Sequence, residues 1–301
     1  NGGAIYVTSG SGNTNITKST FKLNRANAQG GAIGLRASTV KINDSYFEEN
    51  TANEGGAVYV AGNSTQNYII LSEFVRNNAT GGYGGAIDWM GSSGHIYYSN
   101  FTENHADYGA GVYLSGNSSG SEISHAIFDG NIAEINGGAI DWNATKGNLT
   151  HTIFKNNKAQ FGAALCRESN ATSGFGINNT FISNHAYVAG AALAWLKVSN
   201  IKINNYTFID NTADGGGAAI YVGSNSHNCV VFNCTFEGNN VTNNSEGHYG
   251  GAIDWRGSNG IVNASNFTNN HAFTGGAIYV GSLSGNTTII NSTFERNGAT
   301  S

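Results

Sequence analysis

The chain has 301 residues, a formal net charge of −5 and 11% charged residues. Sparse, mildly acidic charge supplies no basic patch, so we expect neither nucleic acid nor an anionic membrane as a partner, and there is no apolar run that could insert into a bilayer. Proline is absent, which favours a body in which nearly every backbone N–H is needed for strand pairing.

Taken in chain order, each repeat begins with Gly-Gly-Ala-Ile or a relaxed version of it, passes an aliphatic position and reaches Phe-x-x-Asn. The Phe-x-x-Asn motif occurs eleven times, from Phe21/Asn24 to Phe294/Asn297, and successive Gly-Gly-Ala positions lie 25 to 33 residues apart. Such a period is typical of repeat architectures. Thr, Ile, Val, Tyr and Phe interrupted by Gly and Asn favour short strands over helices.

Within a repeat, the aliphatic residue stands five positions before the Phe, as Ile96 does before Phe101. An odd separation would put the two side chains on opposite faces of a straight strand, so we expect a corner or bulge between them. Each coil is therefore predicted to have three short strands. One ends at the aliphatic position, one starts at Phe and one carries Gly-Gly-Ala-Ile.

A single coil cannot be stable alone, because its few large apolar side chains do not offset the entropy of ordering its backbone. Coils stacked about 4.8 Å apart would pair every strand above and below and align identical side chains. The predicted fold is an all-β parallel β-solenoid of about eleven coils. Its predicted ladder residues include Phe101, Asn104, Phe128, Asn131, Phe154 and Asn157.

Repeated Gly-Gly-Ala-Ile/Val/Leu with Phe-x-x-Asn resembles the passenger domains of chlamydial polymorphic outer-membrane proteins. The Asn- and Thr-rich composition resembles the adhesin-like surface proteins of methanogenic archaea. The resemblance spans the chain, with relaxed repeats around Gly111, Ala164, Ala192 and Ala219. It implies a right-handed, single-stranded parallel β-helix at the cell surface that serves in adhesion or as a stalk. It brings no catalytic residue, metal or cofactor.

The unbroken repeat predicts one elongated body over residues 1–301. Neither end carries the polar cap that covers the open strand edges of a solenoid. Joining Ser301 to Asn1 would keep the repeat spacing. We therefore expect either an internal part of a longer β-helix or copies that stack head to tail into a filament.

The Gly-Gly-Ala-Ile strands continue with Tyr in odd-numbered coils and with Asp-Trp in several even-numbered ones. Strand alternation would point Ile and Trp to the core and Tyr or Asp to an outer stripe. Aromatic rings interleaved with carboxylates can hold a sugar, although the same residues could simply form a soluble face. The candidate glycan-binding residues are Tyr59, Asp88, Tyr113 and Asp141.

An enzyme is the alternative to a surface glycan-binding protein, because polysaccharide lyases and hydrolases also use this fold. Asp88 and Asp141 would lie about 9.5 Å apart, within the range of an inverting glycosidase. No Arg or Lys converges on the same stripe, so the chain is predicted to be non-enzymatic. The expected partners are a cell-surface glycan, a partner protein or a second copy of the chain.

Eighteen Asn-x-Ser/Thr acceptors indicate an N-glycosylated extracellular protein, although solenoid turns also favour Asn beside Ser or Thr. The candidate acceptors are Asn15, Asn63, Asn78, Asn117, Asn143, Asn170, Asn240, Asn243 and Asn286.

Two further features leave alternatives open. Cys166, Cys229 and Cys234 are predicted to be buried thiols, with a disulfide between coils or a metal site as the other interpretations. Segment 240–249 lengthens its coil to 33 residues and is either a tolerated bulge or a recognition loop.

Overall fold

The computed structural model describes residues 2–36, 39–168, 171–243, 245–282 and 284–301. Its strands pair in parallel into three sheets of eleven strands and one of ten, and neighbouring strands of a sheet come from successive coils. The predicted all-β solenoid of about eleven coils is therefore confirmed. Within the described ranges, no helix is long and apolar enough to cross a membrane.

Three of the sheets follow the predicted elements. The GGA sheet holds the strands that follow Gly-Gly-Ala: Ile5–Val7, Ile33–Leu35, Val58–Val60, Ile87–Trp89, Val112–Leu114, Ile140–Trp142, Leu165–Arg167, Leu193–Trp195, Ile220–Val222, Ile253–Trp255 and Ile278–Val280. The aliphatic sheet holds Asn13–Thr17, Thr39–Asn43, Tyr68–Ile70, His95–Tyr97, Glu122–Ser124, Asn148–Thr150, Phe175–Ile177, Lys202–Asn204, Val230–Phe232, Ile261–Asn263 and Thr288–Ile290. The Phe sheet holds Thr20–Lys22, Tyr46–Glu48, Glu73–Val75, Asn100–Thr102, Ile127–Asp129, Ile153–Lys155, Thr180–Ile182, Thr207–Ile209, Thr235–Glu237, Asn266–Thr268 and Thr293–Glu295.

A fourth sheet, the Ala sheet, adds a strand to the three predicted for each coil. Its strands begin directly after the repeat Asn and carry the Ala that follows it, or Val241 in one coil: Thr51–Ala52, Asn78–Ala79, His105–Tyr108, Ile132–Asn136, Lys158–Phe161, His185–Ala189, Thr212–Ala213, Asn240–Val241, His271–Ala272 and Gly298–Ala299. The small Ala side chains form a buried cluster of their own beside the main core.

Left-handed backbone conformations make the corners between these strands. The residue three positions before each repeat Phe has a φ between 49° and 57°, which is the corner expected between the aliphatic position and Phe. A second corner lies directly before the repeat Asn, and a third falls on the first Gly of the Gly-Gly pair. At Gly84, φ is +65° and an added Cβ would lie 2.3 Å from the Ile87 carbonyl oxygen, so glycine is required there.

The core is a set of columns that run through the stack. The repeat Phe rings stack from Phe21 to Phe294 with centroids 4.5–5.1 Å apart and planes within 13° of parallel. Phe101, Phe128 and Phe154 lie in this column. Trp142 and the other Gly-Gly-Ala strand tryptophans are also fully buried.

The repeat Asn residues form a second column at the corner. Asn104, Asn131 and Asn157 are fully buried. The Asn131 side chain shows the pattern: its Nδ2 donates to Asn157 Oδ1 at 3.0 Å and to the Phe101 carbonyl at 2.9 Å. Its Oδ1 accepts from the Asn104 backbone N–H at 3.1 Å. Each amide thereby links three successive coils.

Candidate functional site

The middle residues of the GGA sheet strands form one column on the face opposite the core. We call it the Tyr/Asp column. Parallel pairing places Tyr59, Asp88, Tyr113 and Asp141 in consecutive register along it. The whole column reads Tyr6, Gly34, Tyr59, Asp88, Tyr113, Asp141, Cys166, Ala194, Tyr221, Asp254 and Tyr279.

The structure corrects the exposure predicted for the carboxylates of this column. Asp88 is 1% exposed and Asp141 is fully buried, whereas the sequence placed both on an outer surface. Tyr113 is half-buried and Tyr59 is 7% exposed. Strand alternation fixes the side of the sheet on which a residue lies but not its exposure, and Tyr113 is a register neighbour of both Asp88 and Asp141.

Burial changes the charge that these carboxyls carry. It raises the pKa of Asp88 well above its ordinary value, and the Glu54 carboxylate adds to the shift. Burial also raises the pKa of Asp141, with Glu168 as the second cause. Neither group is therefore an accessible carboxylate for a ligand.

A flanking column runs beside the Tyr/Asp column, made of the residues that precede the Gly-Gly pairs. The backbones of Tyr83 and Tyr108 pair there, as do those of Tyr249 and Thr274. The Tyr83 ring lies 4.6 Å from the ring of Tyr113 in the Tyr/Asp column. Aromatic side chains from two columns therefore share one face of the solenoid.

Two open clefts lie on this face. The first cleft has a volume of about 440 Å³ and is lined by Tyr6, Thr8, Arg36, Tyr59 and Asn63, among others. The second cleft has a volume of about 390 Å³, and its lining includes Tyr221, Ser224, Tyr249, Arg256 and Tyr279. Each cleft spans about three coils and presents tyrosine rings with one arginine.

The second cleft has a fixed polar centre. Arg256 donates to both carboxylate oxygens of Asp254, from Nε to Oδ1 at 3.1 Å and from Nη2 to Oδ2 at 2.8 Å. Its guanidinium lies 5.6 Å from the ring centroids of Tyr221 and of Tyr249. The Tyr249 and Tyr279 rings stack with centroids 4.2 Å apart. Burial raises the pKa of Asp254 and Arg256 opposes that shift, so this aspartate differs from Asp88 in having a cationic partner.

Three residues of these clefts were missed from the sequence, and the prediction that no Arg or Lys converges on this stripe is wrong, because Arg36 and Arg256 line the clefts. Arg36 and Arg256 each stand two positions after a Tyr/Asp column residue, and Tyr249 comes from the end of segment 240–249 and directly precedes Gly250. The shared spacing of the two arginines is a signal that could have identified them. Tyr249, the last residue of the lengthened segment, lines the second cleft, and this favours the recognition-loop interpretation of segment 240–249.

The candidate glycosylation acceptors lie at the surface or are half-buried. Of the described ones, those exposed are Asn15, Asn63, Asn117, Asn243 and Asn286, and those half-buried are Asn78, Asn143 and Asn240. Asn170 lies outside the described residues. The three cysteines are free and buried, so the inter-coil disulfide is not formed.

Two segments, residues 44–61 and 205–223, match the family model of the Chlamydia polymorphic membrane protein repeat. Each match includes the Phe-x-x-Asn corner and the following GGA strand. This finding agrees with the predicted resemblance to a β-helix surface protein, while the likeness to methanogen proteins stays a prediction. No curated protein matches the chain.

Solved structures share the architecture at low sequence identity. A double mutant of the periplasmic alginate epimerase AlgG has a TM-score of 0.65 and 13% identity, over 95% of this chain and 70% of that chain. PfbA, a surface adhesin of Streptococcus pneumoniae, has a TM-score of 0.53 and 12% identity, over 98% of this chain and 83% of that chain. At these identities the likeness shows the fold alone.

Proposed function

We propose that this chain is a non-enzymatic β-helix of the extracellular cell surface that binds a glycan on the Tyr/Asp face. The observation that carries the proposal is the second cleft, where Tyr221, Tyr249 and Tyr279 surround an Arg256–Asp254 pair. Sugars bind through ring faces packed on aromatic rings and hydroxyls held by fixed polar groups. The cleft offers both in one opening that spans adjacent coils.

Several facts support placing this function at the cell surface. Two of the repeats match a repeat of membrane proteins, and one protein of the same fold is a surface adhesin. The exposed acceptors Asn15, Asn117, Asn243 and Asn286 would allow N-glycosylation. Asn63 lines the first cleft, so a sugar attached there would compete with a ligand.

The burial of Asp88 and Asp141, the predicted acid pair, favours non-enzymatic binding over glycoside hydrolysis. A glycosidase needs two carboxyl groups that reach the scissile bond. Asp88 and Asp141 are covered, with exposures of 1% and 0%.

The binding test uses unglycosylated protein on a glycan array, followed by calorimetry with the retained glycan. Tyr279→Ala should weaken binding by about 1–2 kcal/mol because it removes one face of the stacked pair. Tyr113→Ala tests whether the middle of the column also binds. Tyr98→Ala is the matched control, because Tyr98 is 55% exposed and does not line either cleft.

No retention on the array, or equal weakening by Tyr98→Ala and Tyr279→Ala, would contradict glycan binding at this cleft. Reducing-end release from polysaccharides that is lost in Asp88→Asn or Asp141→Asn would instead support the enzyme alternative.

The stalk and filament alternatives concern assembly and stay predictions. Negative-stain images of the chain at rising concentration separate them. Head-to-tail stacking would give fibres that lengthen with concentration, whereas a stalk segment would give rods of constant length.

A further inference from the structure

Three metal-binding side chains of different kinds meet between the sixth and seventh coils. One ligand atom each from Asp141, Cys166 and Glu168 lies within 4.8 Å of the other two. Asp141 and Cys166 are register neighbours in the Tyr/Asp column. Glu168 stands two residues after Cys166, so it projects on the same side of the chain. The solenoid register brings these residues together across about 27 positions of sequence.

The buried aspartates of the column show why this cluster differs from its neighbours. Asp254 is neutralised by the guanidinium of Arg256. Asp88 has one further acidic neighbour, Glu54, and its register neighbours Tyr59 and Tyr113 include no thiol. Asp141 instead faces a thiol and a second carboxyl group.

No ion pair involves Asp141 or Glu168 in the parts of the chain that the structure describes. A buried acidic cluster without a counterion is costly unless a cation or protons neutralise it.

Two buried polar atoms at the cluster have no hydrogen-bond partner. One is Asp141 Oδ2, on a fully buried residue. The other is Asn136 Oδ1, on a residue that is 8% exposed and whose Nδ2 contacts Glu168 Oε1. Buried polar groups in folded proteins are nearly always paired. An ion bound by Asp141, Cys166 and Glu168 would supply the missing partner of Asp141 Oδ2.

We propose that Asp141, Cys166 and Glu168 bind a divalent transition-metal ion of the Zn²⁺ class, with water as the fourth ligand. Zinc takes thiolate and carboxylate ligands in tetrahedral sites, whereas Ca²⁺ and Mg²⁺ take oxygen ligands only. On binding, the Cys166 thiol proton and any proton on Asp141 pass to solvent, and the ion bonds to the sulfur and oxygen lone pairs.

The distances between the three donor atoms would have to shorten when an ion binds. Bonds of about 2.0–2.3 Å in a tetrahedron put donor atoms roughly 3.3–3.8 Å apart, so donors that now lie up to 4.8 Å apart must approach by up to about 1.5 Å. Glu168 is half-buried and can make that adjustment. The bound ion would join two coils at a repeat where Gly-Ala-Ala replaces Gly-Gly-Ala, at Gly162 to Ala164.

The test titrates the full chain, stripped with a chelator, with Cd²⁺ and Zn²⁺. Cadmium bound to a thiolate gives an ultraviolet charge-transfer band, and we expect it to saturate at one ion per chain. Cys166→Ala should abolish the band. This variant should keep the fold, because Ala194 occupies the next position of the same column.

Cys234→Ser is the matched control and should leave the band unchanged. Cys234 Sγ contacts the Phe232 carbonyl at 3.2 Å, and Ser265 makes the equivalent bond in the next coil at 3.0 Å, so serine suits this position. Glu168→Gln, at a half-buried position, should weaken Zn²⁺ binding by more than about tenfold. Zinc should also raise the melting temperature of the native chain and not that of Cys166→Ala.

Three results would overturn the proposal. One is the absence of a band in the native chain. Another is a band of equal size in Cys166→Ala, which would place the ion elsewhere. The third is displacement by Ca²⁺ at concentrations equal to those of Cd²⁺, which would indicate an oxygen-only acidic cluster.

Discussion

A single asparagine amide in this solenoid satisfies four hydrogen bonds that the backbone corner would otherwise lose. Asn157 Nδ2 donates to Asn184 Oδ1 at 2.9 Å and to the Phe128 carbonyl at 3.0 Å. Its Oδ1 accepts from both the backbone and side-chain N–H groups of Asn131. Asparagine is the short side chain that has a donor and an acceptor in this arrangement, which explains why the motif requires it.

Asn157→Ala is expected to destabilise the fold by about 3–5 kcal/mol, because buried N–H and C=O groups on both sides lose their partners. Urea denaturation followed by circular dichroism measures the change. Asn297→Ala is the control, since Asn297 is only partly buried and water can replace the bonds that its side chain makes with the Phe267 carbonyl and with Asn270. Equal loss in both variants would contradict a role for buried amide pairing.

Asp88→Asn tests the consequence of carboxyl burial. The folded pKa of Asp88 is raised, so below about pH 4 both states are protonated and the native chain has no penalty. As pH rises above that value, the unfolded chain ionises while the folded one stays protonated, and stability falls by up to about 1.4 kcal/mol per pH unit. Asn cannot ionise and lacks this loss.

We therefore expect Asp88→Asn to melt at a higher temperature than the native chain at pH 7, with the difference shrinking towards pH 4. Thermal melts at four pH values measure it. Asp44→Asn is the control for removing a carboxylate at an exposed position. A pH-independent gain in Asp88→Asn would mean that ionisation is not its cause.

At the scale of the element, the corners show how much strain a coil tolerates. The corner before the Phe sheet is left-handed in every coil, and asparagine occupies it at Asn178, Asn205, Asn233 and Asn291. Ala264 occupies the same corner with a φ of 52°. Alanine, whose side chain has no polar group, is disfavoured in the left-handed conformation, whereas Asn and Gly adopt it readily.

Ala264→Asn is predicted to stabilise the chain by about 0.5–1 kcal/mol, since a left-handed alanine costs roughly 1 kcal/mol. Asn205 Nδ2 already donates to Asn178 Oδ1 at 2.8 Å, which shows that this column accepts amide contacts. Chemical denaturation compares Ala264→Asn and Ala264→Gly with the native chain. A loss of stability in both variants would show that the alanine is not strained.

Strands whose large side chains recur once per coil can be predicted from the sequence, whereas strands without such side chains cannot. Phe-x-x-Asn fixes the Phe sheet because the same ring recurs once per coil. The Ala sheet escaped prediction because strands such as Thr51–Ala52 are two residues long and show no alternation. The burial of Asp88 was not predicted because it depends on the side chains of neighbouring coils. The second cleft was not predicted because Tyr249 and Arg256 come from different parts of one coil.

At the scale of the whole molecule, the stack puts two similar clefts on the same sheet. The first is centred near Gly34 and the second near Asp254, eight coils apart in the strand order. At about 4.8 Å per coil, their centres lie roughly 38 Å apart along the solenoid. A polysaccharide long enough to span that distance could occupy both clefts at once.

Binding of a long glycan should therefore exceed that of a short oligosaccharide of the same sugars by more than tenfold, since the second contact is intramolecular. Tyr6→Ala and Tyr279→Ala each remove one aromatic face, and Tyr6 is 41% exposed, so its loss should leave the fold intact. Either single variant should bind the long glycan only as tightly as the native chain binds the short one. Calorimetry with both glycan lengths measures this, and equal affinities in the native chain would mean that the clefts act alone.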